Sequence, residues 1–242
     1  MRFELSLLAY DVVREQETHG DPHPTLARGK LWYDPDERQQ LAVDVQDELE
    51  QAGLARNGRP SSAFVDLIHL IERPEVEYYM RGTIRNRSVS VRVARSSRDA
   101  ALVIANADTM FVFPSNPDRA IRDVVEQLPD TPGAHIQSLS FAQVDLDDVA
   151  AGHVTGRTSG SIADAKAAAR WLRAPRTNAG RLYAGVREGH IGRRRSEDPP
   201  FWADTEYGRI VMTKDTTGWF TLFGATPPDL ETVFHQLEAA LG

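Results

Sequence analysis

The sequence predicts an α+β fold: two quasi-symmetric helix–antiparallel-sheet–helix halves forming a central sheet flanked by helical bundles. Three observations lead there. Apolar spacing changes from helical to alternating and back, twice along the chain. The alternating segments are separated by turns of a few residues, and connections that short permit only antiparallel neighbours. The segments that close each half also resemble one another. "MFVFPSNPDRAIRDVVEQL" (110–128) and "WFTLFGATPPDLETVFHQL" (219–237) each join an aromatic-rich strand to a Pro-Asp helix start and end on Gln-Leu. The expected organisation is one globular domain with pseudo-two-fold symmetry, its halves being residues 1–133 and 134–242.

In the first half, Phe3 to Leu7 reads as a strand or as the start of a helix running to about Glu17. A helix over 35–53 has Asp34 at its N-cap, Pro35 at N1 and Glu37 at N3, which is a capping box. Leu41, Val45 and Leu49 share one of its faces, and Gly53 ends it. A second helix over 60–73 stripes Phe64, Leu67, Ile68 and Ile71 and stops at Pro74. Four antiparallel strands follow within about 75–113, with Val76, Tyr78 and Met80 alternating with Glu77, Tyr79 and Arg81. A helix over 117–128, capped by Asn116, closes the half. In the second half a helix is expected over about 160–173, strands within 181–223, and a helix over 228–241. Residues 134–156 read as the link between the halves.

Composition removes several function classes. With 242 residues the chain is long enough to bury roughly 70–75% of its unfolded surface without staples. It has no cysteine, so disulfides, thiolate nucleophiles, iron–sulfur clusters and cysteine-ligated zinc are excluded. That composition fits a reducing cytoplasm. The net charge of −7 argues against broad nucleic-acid binding, which needs a basic footprint. The N-terminal "MRFELSLLAYDVVREQE" lacks the run and cleavage site of a signal peptide, and no apolar run reaches the roughly 20 residues that span a bilayer. Stable membrane insertion is therefore not expected.

Four motifs could carry chemistry. Asp204, Thr205 and Arg209 are close in sequence, with His190 upstream, and suggest a small hydrolase or ligand-binding enzyme. No G-x-S-x-G or H-E-x-x-H accompanies them. The plainer reading has Asp204 capping a turn and Arg209 on a solvent face. His19, Asp21 and His23 form a loop H-x-D-x-H that could hold zinc, although exposed loop histidines without metal are commoner. "GRTSGS" (156–161) precedes a helix but lacks the P-loop ending, so a serine-capped linker is the better reading. Arg193, Arg194 and Arg195, followed by Ser196, Glu197 and Asp198, look like a solvated hairpin tip. No cofactor or metal is expected.

Surface recognition remains. Helices on one face of a sheet leave the other open, and the residues alternating with the core there are Tyr79 and Arg81 in the first half, Tyr183 and Arg187 in the second. Tyrosine and arginine are enriched at protein interfaces.

The longest stretches, "ARGKLWYDPDERQQLAVDVQDELEQAGLARNGRPSSAFVDLIHLIERPEVEY", "FPSNPDRAIRDVVEQLPDTPGA" and "GRLYAGVREGHIGRRRSEDPPFWADTEYGRIVM", resemble the EspG family, the cytosolic chaperones of actinobacterial type VII (ESX) secretion systems. The Gly-Arg-Arg hairpin followed by aromatic-x-Asp-Thr-x-x-Gly-Arg is the most specific part. The resemblance implies a mixed α/β fold of two quasi-symmetric halves and a non-enzymatic role. It implies binding of a PE–PPE-like heterodimer through the apolar tip of the PPE helical hairpin, keeping it soluble for export; a homodimer is also compatible. The implied surfaces are the central sheet, a strand-connecting loop and helices of the second half. Carried onto this chain, the loop is "RNRS", bringing in Arg85, Asn86 and Arg87, and it is shorter than in many mycobacterial members. A structural component of the secretion apparatus without cargo is the third alternative.

Overall fold

The computed structural model describes residues 2–18, 21–27, 34–153, 160–188 and 192–242. Strand β1 (Phe3–Ser6) runs straight into helix α1 (Leu7–Thr18), so the ambiguous N-terminal stretch is a strand and then a helix. Helix α2 (Pro35–Gln51) opens with the expected capping box. The Glu37 N–H donates to Asp34 Oδ1 at 2.9 Å, and Glu37 Oε2 accepts from the Asp34 N–H at 3.0 Å. Helix α3 (Ser62–Glu72) starts later than the pattern suggests. Arg59 and Pro60 instead form β3 (Arg59–Pro60), paired with β2 (Ala55–Arg56) across Asn57-Gly58. Both turn residues have positive φ, at 52° and 75°, which suits Asn-Gly in a two-residue hairpin.

The four-strand meander is present: β4 (Val76–Ile84), β5 (Arg87–Arg95), β6 (Ala100–Ala105) and β7 (Thr109–Ser115), each antiparallel to the next. The helix expected over 117–128 is shorter. Asn116 accepts from the Asp118 N–H at 2.9 Å, a tight 3-10 turn spans Pro117–Arg119, and α4 covers Ala120–Val125. The expected link at 134–156 also holds regular structure, β8 (Leu139–Ala142) and α5 (Gln143–Ala151). Its Phe141 is fully buried and stacks on Phe220 at 5.8 Å, so this strand completes a sheet edge. Helix α6 (Gly160–Arg173) lies where expected. Strand β9 (Arg176–Glu188) begins earlier than 181. Then come β10 (Gly192–Arg195), β11 (Phe201–Thr205), β12 (Gly208–Lys214), β13 (Trp219–Gly224) and α7 (Pro227–Ala239).

Eleven strands form one sheet in the order β1-β7-β6-β5-β4-β9-β11-β12-β13-β8, with β10 pairing to the far end of β9. First-half strands therefore lie on one side of the β4–β9 pairing and second-half strands on the other. Side chains alternate between faces along a strand, so the core clusters assign the helices. Leu102, Tyr78, Met80, Leu182, Trp202 and Val211 pack with α4 and α7 on one face. Ala101, Val103 and Val112 pack with α1, α2 and α3 on the opposite face. Ala203, Ile210 and Leu222 pack with α5 and α6. The register series Val103–Arg92–Tyr79–Tyr183 places β4 and β9 residues on the α1–α3 face, and the odd-numbered β9 residues continue to Ala179–Ala203 on the α5–α6 side. Helices thus cover both faces, not one. The second face is capped by helices at its two ends, and the β4–β9 centre lies between them.

That centre requires glycine. Gly82 and Gly180 are register partners. A Cβ on Gly82 would stand 2.3 Å from the Ala179 carbonyl oxygen, and one on Gly180 would stand 2.5 Å from the Arg81 oxygen. Both contacts are with backbone, which cannot swing aside. Gly82→Ala and Gly180→Ala are each expected to lower stability by about 1–3 kcal/mol, the usual overpacking cost, as read from urea midpoints.

Candidate functional site

Between the two helical layers, the face of β4 and β9 carries Glu77, Tyr79, Arg81 and Thr83 opposite Gly185, Tyr183, Arg181 and Ala179. Tyr79 and Tyr183 stack at 4.6 Å between ring centroids, 4° from parallel. Tyr183 is half-buried, and Arg81, Thr83 and Arg181 are exposed. The cleft over Arg81 and Tyr183 holds about 1390 Å³ and extends along β10 to the β12–β13 turn. On the α6 side a smaller hollow of about 430 Å³ sits against Trp171 and Tyr207, whose rings meet edge to face at 5.8 Å.

Behind the exposed floor lies a buried charge cluster. Glu77 is 1% exposed and Arg92 1%. Arg92 Nε donates to Glu77 Oε2 at 2.8 Å, and its Nη2 also donates to the Ile71 carbonyl. Arg193 reaches from β10 to Glu77 Oε1 and to His23, passing over the Tyr79 ring at 5.8 Å. His23 Nε2 is 3.5 Å from Glu77 Oε2, its ring lies edge-on to Tyr79 at 4.9 Å, and its Nδ1 is 2.6 Å from Thr25 Oγ1. Burial and then Arg92 lower the His23 pKa to about 3, so it is neutral here. Burial pushes the Glu77 carboxyl up, but Arg92, His23 and Arg193 outweigh it and hold it below the usual carboxylate range. One carboxylate therefore fixes a strand, a loop and β10 to the same spot on β4.

Several expectations change. Tyr79 does not face an open surface: it is 1% exposed, because His23 and Arg193 cover it. Arg187 is half-buried, and its Nη2 donates to the Glu72 oxygen at 3.4 Å. The strand-connecting loop is only Arg85-Asn86, with φ of 50° and 62°; Arg87 and Ser88 belong to β5. Asn178 Oδ1 accepts from the Arg85 N–H at 2.9 Å and ties this tip to β9. Arg85, Asn86 and Arg87 are exposed. The Arg193–Arg195 run is strand β10, not a solvated tip, since Arg193 is held inward by Glu77.

Asp204 and Arg209 are both 1% exposed, so neither caps a solvated turn nor faces solvent. Arg209 Nε donates to Asp204 Oδ1 at 2.7 Å and its Nη2 to Oδ2 at 3.0 Å, a two-point pair. Asn178 and Thr131 also donate to Asp204 Oδ2, and the Pro129 oxygen accepts from Arg209. These bonds pin residues 129–134 across the sheet end, where Ala134 N–H donates to the Arg209 oxygen. His190 lies outside the described residues, as do His19 and Gly156–Ser159. Ser161 lies in the first turn of α6, where it donates to Asp145 and accepts from the Ala142 N–H, tying α6 to the β8–α5 junction. No cluster of metal-ligating residues occurs among the described residues, and none of the described helices is long and apolar enough to cross a membrane.

The EspG family model matches residues 6–235. The chain belongs to the EspG family. No curated protein sequence matches it. Among solved structures it is similar to the Mycobacterium tuberculosis type VII secretion system chaperone EspG5, solved in complex with the PE25–PPE41 dimer. The TM-score is 0.71 at 12% identity, covering 98% of this chain and 95% of that one. An EspG fold thus persists where few residues are shared. The sequence pattern offers His23 as a loop histidine or zinc ligand and Arg193 as part of a solvated tip, and gives no sign that both meet Glu77 and Arg92; Arg181 is not among its candidates for the exposed face. Arg181 has the same strand parity as Tyr183 and Arg187, and counting back two residues locates it.

Two outcomes are expected. Glu77→Gln strands Arg92 in the interior and lowers stability by about 3–5 kcal/mol, measured by denaturant unfolding. The second concerns acid. Below the unfolded value of 6.5 the open chain protonates its histidine while folded His23, held near 3, does not. Glu77 acts in the same sense, since its contribution is complete above the unfolded carboxylate pKa and erodes below it. Stability therefore falls as pH drops from 6.5, and His23→Gln flattens the upper part of that fall in thermal melts taken across the range.

Proposed function

We propose that this EspG-family chain is a cytoplasmic chaperone that binds a PE–PPE-type heterodimer of a type VII secretion system, keeps it soluble and delivers it for export without catalysis. The observation that carries the reading is the family match over residues 6–235 joined to a fold like that of a chaperone solved with a PE–PPE dimer. The geometry supports it. An apolar helix tip is an aggregation liability until covered, and the cleft over Arg81 is open, lined by the half-buried Tyr183, β10, the β12–β13 turn and the C-terminal end of α7.

In this reading the docking surface comprises Tyr183, Arg81 and the Arg85-Asn86 tip with Arg87, backed by Arg187 and by Tyr79 beneath its stacking partner. Tyr79 acts by holding Tyr183 flat rather than by contact. The Trp171–Tyr207 hollow extends the same surface toward the second-half helices. We also read the strand order as pseudo-two-fold: counting outward from the seam, β4, β5, β6, β7 and β1 correspond to β9, β11, β12, β13 and β8, with the division near residue 133. The absence of catalysis fits Asp204, whose two oxygens are both engaged by Arg209.

The test is co-expression with each PE–PPE pair of the same genome, followed by size-exclusion chromatography with light scattering. A complex with one copy of each of the three chains is expected, weakened by Tyr183→Asp and by Arg85→Glu. Separate elution of the chaperone from every soluble pair contradicts the assignment.

A further inference from the structure

We propose that Arg81 and Arg181 together form a carboxylate-binding site on the cleft floor, filled by an acidic residue of the docked protein. This rests on the chaperone reading for the identity of the partner, and on the chain's own electrostatics for the site.

The two arginines are register partners on adjacent antiparallel strands and point to the same face. Like charges directly opposite one another destabilise a strand pair, so this position works against the seam it occupies. Three acids share the cleft with Arg81: Glu197, Asp198, which pairs with Lys214 at 3.1 Å, and Asp215, whose Oδ1 accepts from the Thr217 and Trp219 N–H groups; all three lie outside the strand rows around the pair. The cross-strand row through the pair is Ser90–Arg81–Arg181–Phe201. The rows on either side are Arg92–Tyr79–Tyr183 and Ser88–Thr83–Ala179–Ala203. None holds a carboxylate. The acid on this face of β4, Glu77, is taken by Arg92 and Arg193. Arg181 donates to the Pro199 carbonyl at 2.9 Å through Nη1 alone, which leaves the rest of its guanidinium. Both side chains are exposed, and Arg81 lines the cleft.

The wider distribution agrees. Residues 76–95 contain five arginines and one glutamate, and residues 176–195 contain six arginines and one glutamate, within a chain of net charge −7. The basic strip is thus confined to the central strands and surrounded by net acid. A guanidinium pair is a fork for a carboxylate, giving short charge-assisted hydrogen bonds. A nucleic acid fits less well, because its continuous phosphate charge would run past the strip into acidic surroundings. An acidic side chain at a helical tip needs only the strip. Once docked, it replaces repulsion with attraction, so complex formation stabilises the seam.

The deciding variant is Arg81→Gln/Arg181→Gln. For the pair that co-elutes with the wild type, the dissociation constant should rise roughly 10- to 100-fold, as for loss of hydrogen bonds to a charged group, with a weaker dependence on NaCl. The melting temperature of the free variant should equal or exceed that of the wild type, because the repulsion is gone. Opposed signs for affinity and stability are what a merely structural role does not produce. Unchanged affinity, or a variant that melts lower and binds only in proportion, overturns the site while leaving the chaperone reading intact. If no PE–PPE pair binds the wild type, the chaperone reading fails, and titration of the free chain with poly-L-glutamate decides the site separately. Salt-sensitive binding that the double variant loses upholds it, and no binding overturns it. Single-stranded DNA that displaces the polymer with the same arginine dependence overturns the assignment to a protein carboxylate.

Discussion

Nine consecutive residue pairs, Val76–Ile84 of β4 against Asn178–Val186 of β9, hold the molecule together. On one face they give Tyr78, Met80, Leu182 and Ala184 to the core under α4 and α7. On the other they carry the tyrosine stack, the arginine pair and the Glu77 cluster. Without this seam there would be two smaller sheets, and the cleft over Arg81 and Tyr183 would lose its floor. The glycine pair explains how the strands approach so closely there. With no Cβ at Gly82 or Gly180, each backbone meets its neighbour's carbonyl directly.

Charge is handled differently at different points of the seam. Where His23 and β10 close over it, burial makes ionisation costly, and the structure answers with a concentrated arrangement of Arg92 and Arg193 around one carboxylate. A few residues along the same strand, water reaches the floor, and arginines stand opposite each other with no acid in their row. Solvent makes this tolerable, since exposed charges interact weakly. The buried cluster thus supplies rigidity, and the exposed pair is available to a partner. Tyr79 and Tyr183 join the two regions, one ring covered and the other half-open. The Asp204–Arg209 pair does for the sheet end what Glu77 does for the centre, locking residues 129–134 over β12 as the chain passes from one half to the other.

A fold shared with EspG5 at 12% identity indicates how loosely most positions are constrained. Alternation, helix caps and a few close backbone approaches suffice to specify the layers. In the proposed function, recognition depends on which side chains occupy the strip on β4 and β9. That strip can change without disturbing the cores beneath it.

The sequence by itself determined the local structure. The Asp34–Glu37 box, Pro74 and the alternation through β4–β7 are signals carried by neighbouring residues, and each appears as expected; Asn116 caps a 3-10 turn ahead of a shorter helix. The hairpin at Asn57-Gly58 takes Arg59 and Pro60 into β3, and the helical stripe follows intact from Ser62. The sequence also placed Tyr183 and Arg81 on one face, because strand parity is local. Only the tertiary structure decided which face was open, and it did so through distant residues. Residue 23 and residue 193 come together over Tyr79, and residues 129 and 131 over Asp204 and Arg209. Burial, and with it the meaning of an acid beside an arginine, depends on what else in the chain arrives at the same place. Pairing β4 with β9 joins residues about a hundred positions apart, so the register that sets Arg81 against Arg181 is a property of the folded sheet and of no shorter segment.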